Sequence, residues 1–415
     1  MLMKSDIDRL MAARDLQAIF VTGDAESNPP RAYLTGGVHI TGGLVIKKRG
    51  QPPVMVVNPM EVEEAAKSGL TVYTYNDLGW AELIEQAEGS RSKAEVALWG
   101  RCLERFDIPP GKIGLYGVGS LNHYLAFTPL LEAGNPGYQI VGEMGMTLFD
   151  EAYITKDAEE IRRIKTVAAA TSAVLQATWD FIAAHRADGD TVVKDDGAPL
   201  TIGDVKRFVR RALLDRELED TGMIFAQGRD AGFPHSRGET GMPLKVGQAI
   251  VFDLFPRQLG GGYHHDTTRT WCIGHAPDAV RQTYDTVMAA FQVALDAYAE
   301  PGQPAHALQD AVLDYFEASG HPTPRSRPGS SEGYVHSLGH GVGLNIHERP
   351  SLHHLVTDDI LQIGNMITIE PGLYYPDRGF GVRIEDSFII DETGALVSLT
   401  DFHKELVLPL KGGAA

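Results

Sequence analysis

Ala249-Ile250-Val251-Phe252-Asp253-Leu254-Phe255 is an apolar run with one carboxylate inside it. Its length and its apolar and aromatic content predict a buried strand, and a strand of that kind has no ordinary use for Asp253. Three more stretches share the anomaly. Asp266-Thr267-Thr268-Arg269-Thr270-Trp271 opens a strand on a carboxylate, while Ile367-Thr368-Ile369-Glu370-Pro371-Gly372 and Val382-Arg383-Ile384-Glu385-Asp386 carry Glu370 and Glu385 in further apolar runs. Burying four carboxylates unpaired would cost many kcal/mol, so they are either protonated or matched by positive charge. Arg269 and Arg383 are too few to match them; two divalent cations would balance all four.

Gly339-His340-Gly341-Val342-Gly343-Leu344 adds an imidazole in a glycine-rich stretch, where backbone can approach closely. Four carboxylates and one histidine form an oxygen-rich donor set, suited to Mn²⁺, Co²⁺ or Zn²⁺ rather than to soft copper. A two-metal centre of that kind can hold a bridging hydroxide as nucleophile at neutral pH. Any one of these acids taken alone reads equally well as half of a structural ion pair.

Outward from these strands the chain is periodic. Asp157 with Glu160 forms a helix-start box, and Ile161, Ile164, Val167, Thr171, Val174, Leu175 and Phe181 recur at helical spacing, predicting a long helix that ends near Gly189. A second helix is predicted from Thr201 to about Leu218, followed by strands over Ala249–Phe255 and Asp266–Ile273. The order then repeats, with helices over Pro277–Ala299 and Pro304–Ser319 and strands over Asn365–Tyr374 and Gly381–Ile390. Helix–helix–strand–strand thus occurs twice in residues 157–390, which implies an internal duplication of architecture. Residues 1–150 read as a separate α/β domain, with a helix over Ile7–Gln17, strands at Ala18–Val21, Leu44–Lys47, Val54–Val57, Leu70–Tyr75 and Ile113–Tyr116, and a short helix at Glu61–Lys67.

The 415 residues carry 37 Lys+Arg against 55 Asp+Glu, a formal net charge of −18, with 43% hydrophobic and 22% charged residues. These are values of a folded chain of two or three domains, not of a disordered or collagen-like one. Such acidity argues against nucleic-acid binding and against attraction to anionic membrane. Cys102 and Cys272 form no CxxC pair, which argues against a disulfide framework and a cysteine zinc site. From Met1 to Phe20 charges interrupt every apolar run, and no apolar run elsewhere is long enough to cross a bilayer, so a cytoplasmic location is expected.

The order Asp253, Asp266, His340, Glu370, Glu385 resembles the metal-ligand set of the pita-bread metallopeptidases, the M24 family, which includes methionine aminopeptidase, aminopeptidase P and prolidase. The stretches that carry the resemblance are Asp266–Thr270, Gly339–Leu344, His347-Glu348-Arg349-Pro350, Ile369–Gly372 and Val382–Asp386. Residues 1–150, with Tyr33-Leu34-Thr35-Gly36, resemble the creatinase-type N-terminal domain of prolidase and aminopeptidase P. The resemblance implies an α/β creatinase-like domain over 1–150 and, over 157–415, an α+β pita-bread domain whose curved antiparallel sheet is flanked by two helix pairs. It implies two divalent ions: Asp253 on one, Asp266 and Glu385 bridging, His340 and Glu370 on the other. It implies that Glu370 shuttles the proton, that His235 and His347 flank the substrate and stabilise the tetrahedral intermediate, and that Arg383 stands beside the site, paired with Asp266 or holding the substrate's carboxylate. The implied activity is hydrolysis of the Xaa-Pro bond of a dipeptide or short peptide by a metal-bridging hydroxide, in a homodimer. A creatinase-like C–N hydrolase, which works without metal, and a non-catalytic pita-bread binding protein are the alternatives; the complete ligand set stands against both.

The gap from Asp253 to Asp266 exceeds the family's usual spacing by about two residues, with Gly260-Gly261-Gly262 in it; an even insertion keeps both carboxylates on one sheet face. His264 and His265 read as exposed loop histidines. Gly329-Ser330-Ser331-Glu332-Gly333 matches a serine-hydrolase pattern but lacks the preceding strand and following helix.

Overall fold

The computed structural model describes residues 6–24 and 26–411; Met1–Ser5, part of the N-terminal reading, lies outside the described residues. The chain separates into two compact units, Met1–Ala152 with Gly260–Gly262, and Tyr153–Leu259 with Tyr263–Ala415.

The first unit is built on a six-stranded sheet. In chain order its strands are β1 (Leu16–Thr22), β2 (Leu44–Lys48), β3 (Val54–Val57), β4 (Thr71–Thr74), β5 (Gly111–Gly117) and β6 (Tyr138–Val141), arranged β4-β3-β2-β1-β5-β6. β2 runs antiparallel to both its neighbours; the other pairings are parallel. Ala18, Phe20, Leu44, Ile46 and Val56 pack with Leu98, Trp99 and Cys102 of the helix Arg91–Arg105. Ser90 caps that helix by accepting from the Lys93 N–H. This helix, the helix Leu121–Gly134 and β6 are absent from the sequence reading.

The second unit holds the repeated pattern. The long helix is Ala158–Ala183, begun by the Asp157–Glu160 capping box, and its partner is Ile202–Leu214, begun by Thr201 and Asp204. Both stop short of the predicted ends. The second pair is Asp278–Asp296 and His306–Ala318. Each pair covers its own apolar core, one centred on Trp179, Phe225, Phe252 and Trp271, the other on Val287, Phe291, Phe316 and Ile367. One sheet has the order Ile224–Gln227, Ala249–Leu254, Thr267–Ile273, Val407–Leu408. The other has the order Glu348–Leu352, Gly339–Gly341, Met366–Ile369, Asp386–Ile390, Leu396–Ser398. All pairings are antiparallel except Thr267–Ile273 with Val407–Leu408. Among the described residues no helix is long and apolar enough to cross a membrane.

The two predicted C-terminal strands are each broken in two. Met366–Ile369 and Asp386–Ile390 belong to the larger sheet, whereas Gly372–Tyr375 and Phe380–Arg383 form a separate two-stranded ribbon. Pro371 has no N–H to donate, so the ladder stops beside it. Glu370 and Glu385 therefore sit at the breaks rather than inside strands. Thr268 and Glu385 form an isolated bridge there, joining one sheet to the other.

Candidate metal centre

Each candidate ligand is placed by a local feature of the backbone. In the ladder Asp253 stands opposite Thr268, so Asp266, two residues before Thr268, projects from the same face as Asp253. The even insertion thus keeps its effect. His340 is carried by the strand Gly339–Gly341. A Cβ at Gly339 would run into the Thr368 carbonyl, and one at Gly341 into the Arg349 carbonyl. Glycine at both positions lets the strand lie close enough to bring the imidazole in.

Asp266, His340 and Glu385 each offer a ligand atom, and these atoms lie within 4.8 Å of one another. His340 Nε2 is 3.7 Å from Asp266 Oδ2 and 3.5 Å from Glu370 Oε1. His340 Nδ1 lies 3.0 Å from the Gly341 carbonyl. A carbonyl only accepts, so Nδ1 carries the proton and Nε2 keeps its lone pair facing the acids.

Asp253 takes Arg383 on Oδ2, and Glu385 takes the Thr268 hydroxyl on Oε2 at 2.7 Å. Among the described residues, Asp253 Oδ1, Asp266 Oδ1 and Glu385 Oε1 are buried with no hydrogen-bond partner. Buried carboxylate oxygens without donors are costly, and these lack exactly what a cation supplies. Burial and the neighbouring acids push Asp266 and Glu385 well above the carboxylate range; burial and Asp253 push Glu370 up to about 8, against the opposing pull of Arg383. Burial holds His340 neutral, pushed down to about 3. The donor set fits a centre of divalent cations.

Arg383 pairs with Asp253, not with Asp266. Its Nε donates to Thr268 Oγ1 at 3.1 Å and its Nη1 to Tyr374 Oη at 2.9 Å. Tyr374 in turn meets His336 Nε2 at 3.0 Å, and His336 Nδ1 meets the Ser337 carbonyl at 2.7 Å. Since that carbonyl fixes the tautomer, donation runs Arg383 to Tyr374 to His336 to Ser337. The fork of Arg383 is thereby committed. Tyr374 and His336 escape the sequence reading because each sits in an ordinary strand or loop context with no motif of its own; Thr268 lies inside the Asp266–Thr270 motif, but its role is not read from it.

The acids line a cavity of about 430 Å³ that also includes His235, Arg237, His347 and Phe255. His235 and His347 are exposed. The His347 ring stands edge-on to His340, centroids 4.4 Å apart. Arg237 is exposed on this wall and was not singled out from sequence; its guanidinium lies against Gly222, where a Cβ would touch it at 2.9 Å. His264 and His265 are buried, not exposed: the His264 N–H donates to the Gly343 carbonyl at 2.7 Å, and His265 Nε2 meets Thr400 Oγ1 at 3.1 Å. The segment after Gly261 goes straight into the core, and every residue from Tyr263 to Ile273 is buried.

Lys156 donates to Glu348 Oε2 at 2.8 Å in an almost fully buried pair, and Glu348 Oε1 accepts from the Asn345 N–H at 2.9 Å. This pair fixes the turn that carries His347. His347-Glu348-Arg349-Pro350 is accordingly strand and turn, with Glu348 as a structural anchor.

The model of metallopeptidase family M24 matches residues 162–392, more than half of the chain, and the chain belongs to that family. Its members are divalent-metal enzymes, in keeping with the Asp266–His340–Glu385 cluster. Among curated relatives, the probable dipeptidase PepE of Mycobacterium tuberculosis (strain ATCC 25618 / H37Rv) is 29% identical over 258 residues, 62% of this chain and 61% of that protein. The Xaa-Pro dipeptidase of Pyrococcus furiosus is 36% identical over 184 residues, 44% of this chain and 48% of that protein. The chain thus spans about half to three-fifths of the length of the curated relatives it matches. Among solved structures, the X-Pro aminopeptidase of Thermotoga maritima MSB8 superposes with a TM-score of 0.74 at 18% identity, covering 97% of this chain and 100% of that one. The prolidase of Pyrococcus horikoshii OT3 gives 0.72 at 22% identity, covering 97% and 99%. The two-domain fold with a pita-bread second domain is the fold of these structures.

Proposed function

We propose that the chain is a metal-dependent exopeptidase that hydrolyses the Xaa-Pro bond of dipeptides, or of short peptides at their N-terminus. The observation that carries this reading is the set of bare buried oxygens on Asp253, Asp266 and Glu385 beside the free Nε2 of His340. Asp253 would hold one ion, Asp266 and Glu385 both, and His340 and Glu370 the other, with Mn²⁺, Co²⁺ or Zn²⁺ as the ions the donors suit. When bound, such a pair supplies Lewis-acid polarisation of the scissile carbonyl and a water acidic enough to attack at neutral pH.

The chain's own residues do the rest. Glu370 takes the proton of the attacking water and returns it to the leaving proline nitrogen. His235 and His347 donate to the carbonyl oxygen as negative charge develops on it. The acids attract the free amino group of the substrate, which makes the enzyme an exopeptidase. An Xaa-Pro bond is a tertiary amide without N–H, so a site that works on the carbonyl, as this one does, needs no grip on an amide proton. Because Arg383 is spent on Asp253, Thr268 and Tyr374, the substrate's carboxylate falls to Arg237, the exposed cation of the cavity wall. We read residues 1–150 as the creatinase-type domain of a cytoplasmic homodimer. Relatives named Xaa-Pro dipeptidase support the reading.

The test is hydrolysis of Ala-Pro and of a longer peptide beginning Ala-Pro, with and without chelator. Chelation abolishes cleavage, and Mn²⁺, Co²⁺ or Zn²⁺ restores it. Cleavage that survives chelation, or activity on creatine instead, overturns the reading.

A further inference from the structure

The first unit contains a second cavity of about 420 Å³, with residues from Thr22 to Tyr124 in its lining. Its place in the sheet is informative. β1 and β5 are parallel neighbours, and from them the chain departs in opposite directions, from β1 to β2 and from β5 to β6. Connections that diverge in this way leave a crevice outside the carboxyl ends of the two strands, the usual ligand position in open α/β sheets. Thr22, Gly23 and Asp24 leave β1 into the cavity lining, and Val118, Gly119 and Ser120 leave β5 into it.

The lining has a definite chemistry. Leu44, Val56, Leu98, Trp99 and Cys102 give an apolar floor, and burial pushes the Cys102 thiol up to about 12, so it serves as an apolar group and not as a nucleophile. Aromatic side chains form the walls: Tyr75 and Trp80 lie 5.7 Å apart by ring centroid, and Trp99 and Tyr124 lie 6.5 Å apart. Tyr124 Oη is already bonded to Thr22 Oγ1 at 2.7 Å, which holds its ring in place.

Two carboxylates line the cavity, Asp24 just beyond the end of β1 and Glu95 on a helix. Glu95 projects from the helix Arg91–Arg105 on the face of Leu98, Trp99 and Cys102, since positions three, four and seven apart share a face. It is half-buried; burial, with its charge adding to the effect, raises the phenols of both Tyr75 and Tyr124. Among the described residues Glu95 makes no hydrogen bond. His123 Nε2 stands 3.8 Å from its Oε2, an ion pair when the imidazole is protonated but beyond hydrogen-bond range. Arg91, one turn earlier, is exposed at the rim and forms no ion pair with Glu95 among the described residues. A half-buried carboxylate with no hydrogen-bond donor among the described residues, in a cavity also lined by Tyr75, Trp80, Trp99 and Tyr124, is the complement of an ammonium group. The carboxylate supplies a charge-assisted hydrogen bond, and the rings attract the cation through their quadrupoles.

We propose that this cavity binds a small organic ammonium ion with an apolar body, its cation on Glu95 and its body on the floor formed by Leu44, Leu98 and Trp99. The volume is that of an ordinary small-molecule site. Glu95 and Asp24 disfavour an anionic ligand of the same shape.

The test uses the full metal-loaded chain and three probes of one shape: 2-phenylethylammonium, 2-phenylethanol and phenylacetate. Calorimetric titration should show the ammonium binding at least about tenfold more tightly than the alcohol, with the carboxylate weakest. Glu95→Gln should abolish that preference while leaving the alcohol's affinity unchanged; Glu95→Asp, which keeps the charge, should retain part of it and covers the case in which Glu95→Gln fails to fold. Glu370→Gln, in the other unit, should bind the ammonium as the unaltered chain does. Equal affinity for all three probes, no saturable binding at millimolar ammonium, a preference that survives Glu95→Gln, or one lost in Glu370→Gln would overturn the proposal.

Discussion

The Arg383 guanidinium donates to Asp253 Oδ2, in a pair whose side chains are both largely buried. The bond fixes one oxygen of the carboxylate and leaves the other, Oδ1, buried without a hydrogen-bond partner among the described residues. An arginine is suited to this post because its planar fork reaches Asp253, Thr268 and Tyr374 together, which the single ammonium of lysine cannot do. Replacing Arg383 with Met should therefore weaken metal affinity about 10–100-fold, the usual effect of removing a group that orients a ligand. It should also cost about 3–5 kcal/mol of stability in the metal-free chain, because Asp253 is left buried and alone. Metal titration and chemical denaturation check the two parts, and Arg383→Lys should recover stability better than metal affinity.

Glu370→Gln removes the group assigned to carry the proton while keeping its shape. The rate constant for Ala-Pro hydrolysis should fall about 10²–10⁴-fold, with KM little changed. Full activity in this variant would remove Glu370 from the mechanism.

Arg237 is assigned to the substrate's carboxylate because Arg383 is committed elsewhere. Arg237→Met should raise KM for Ala-Pro about tenfold or more, the worth of one charge-assisted hydrogen bond. Against Ala-Pro amide, which has no carboxylate, the same variant should match the unaltered enzyme. Steady-state kinetics on the two substrates separates this role from general damage to the site.

Asp204, in the first turn of Ile202–Leu214, accepts from the Thr201 N–H at 3.0 Å and the Thr201 hydroxyl at 2.7 Å. Burial alone would raise its carboxyl, but these bonds, with Lys194 and Arg207 beside it, hold it down at about 2. Because the folded value lies below the unfolded one, its stabilisation is complete above the usual carboxylate range and is lost as pH falls towards 2. Asp204→Asn should cost about 1 kcal/mol at neutral pH, the scale of a helix cap, and nothing below pH ~2. Denaturation of both proteins across that range checks the sign.

Much of the candidate centre was legible because a carboxylate in an apolar run is expensive wherever it is buried. Asp253 and Asp266 announce themselves in this way, and so does His340 between two glycines. What escaped depends on contacts between distant segments. Pro371 carried a signal for the broken strand, but which sheet each half joins is decided by pairing. The partner of Arg383 is 130 residues away in sequence, and the sequence pointed instead to Asp266 or to the substrate's carboxylate. His264 and His265 look like loop residues beside Gly260–Gly262, and only the return of the chain beneath Gly343 and Thr400 buries them. In the first unit, the helix Arg91–Arg105 had a readable cap and apolar face. The helix Leu121–Gly134 had a cap in Ser120 but no clean apolar face, because Leu121, Leu125 and Leu130 are exposed and Pro129 stands inside it. Arg237 had no signal at all, since an arginine among polar residues is ordinary.

The central claim is that the acids of the second unit hold a pair of cations, and metal content per chain tests it most directly. After equilibration with manganese and removal of free ion, elemental analysis should find two ions per chain, fewer in Asp266→Asn and Glu385→Gln, with Ala-Pro hydrolysis rising and falling with occupancy. A chain that retains no manganese, cobalt or zinc and still cleaves Ala-Pro at full rate would contradict the account.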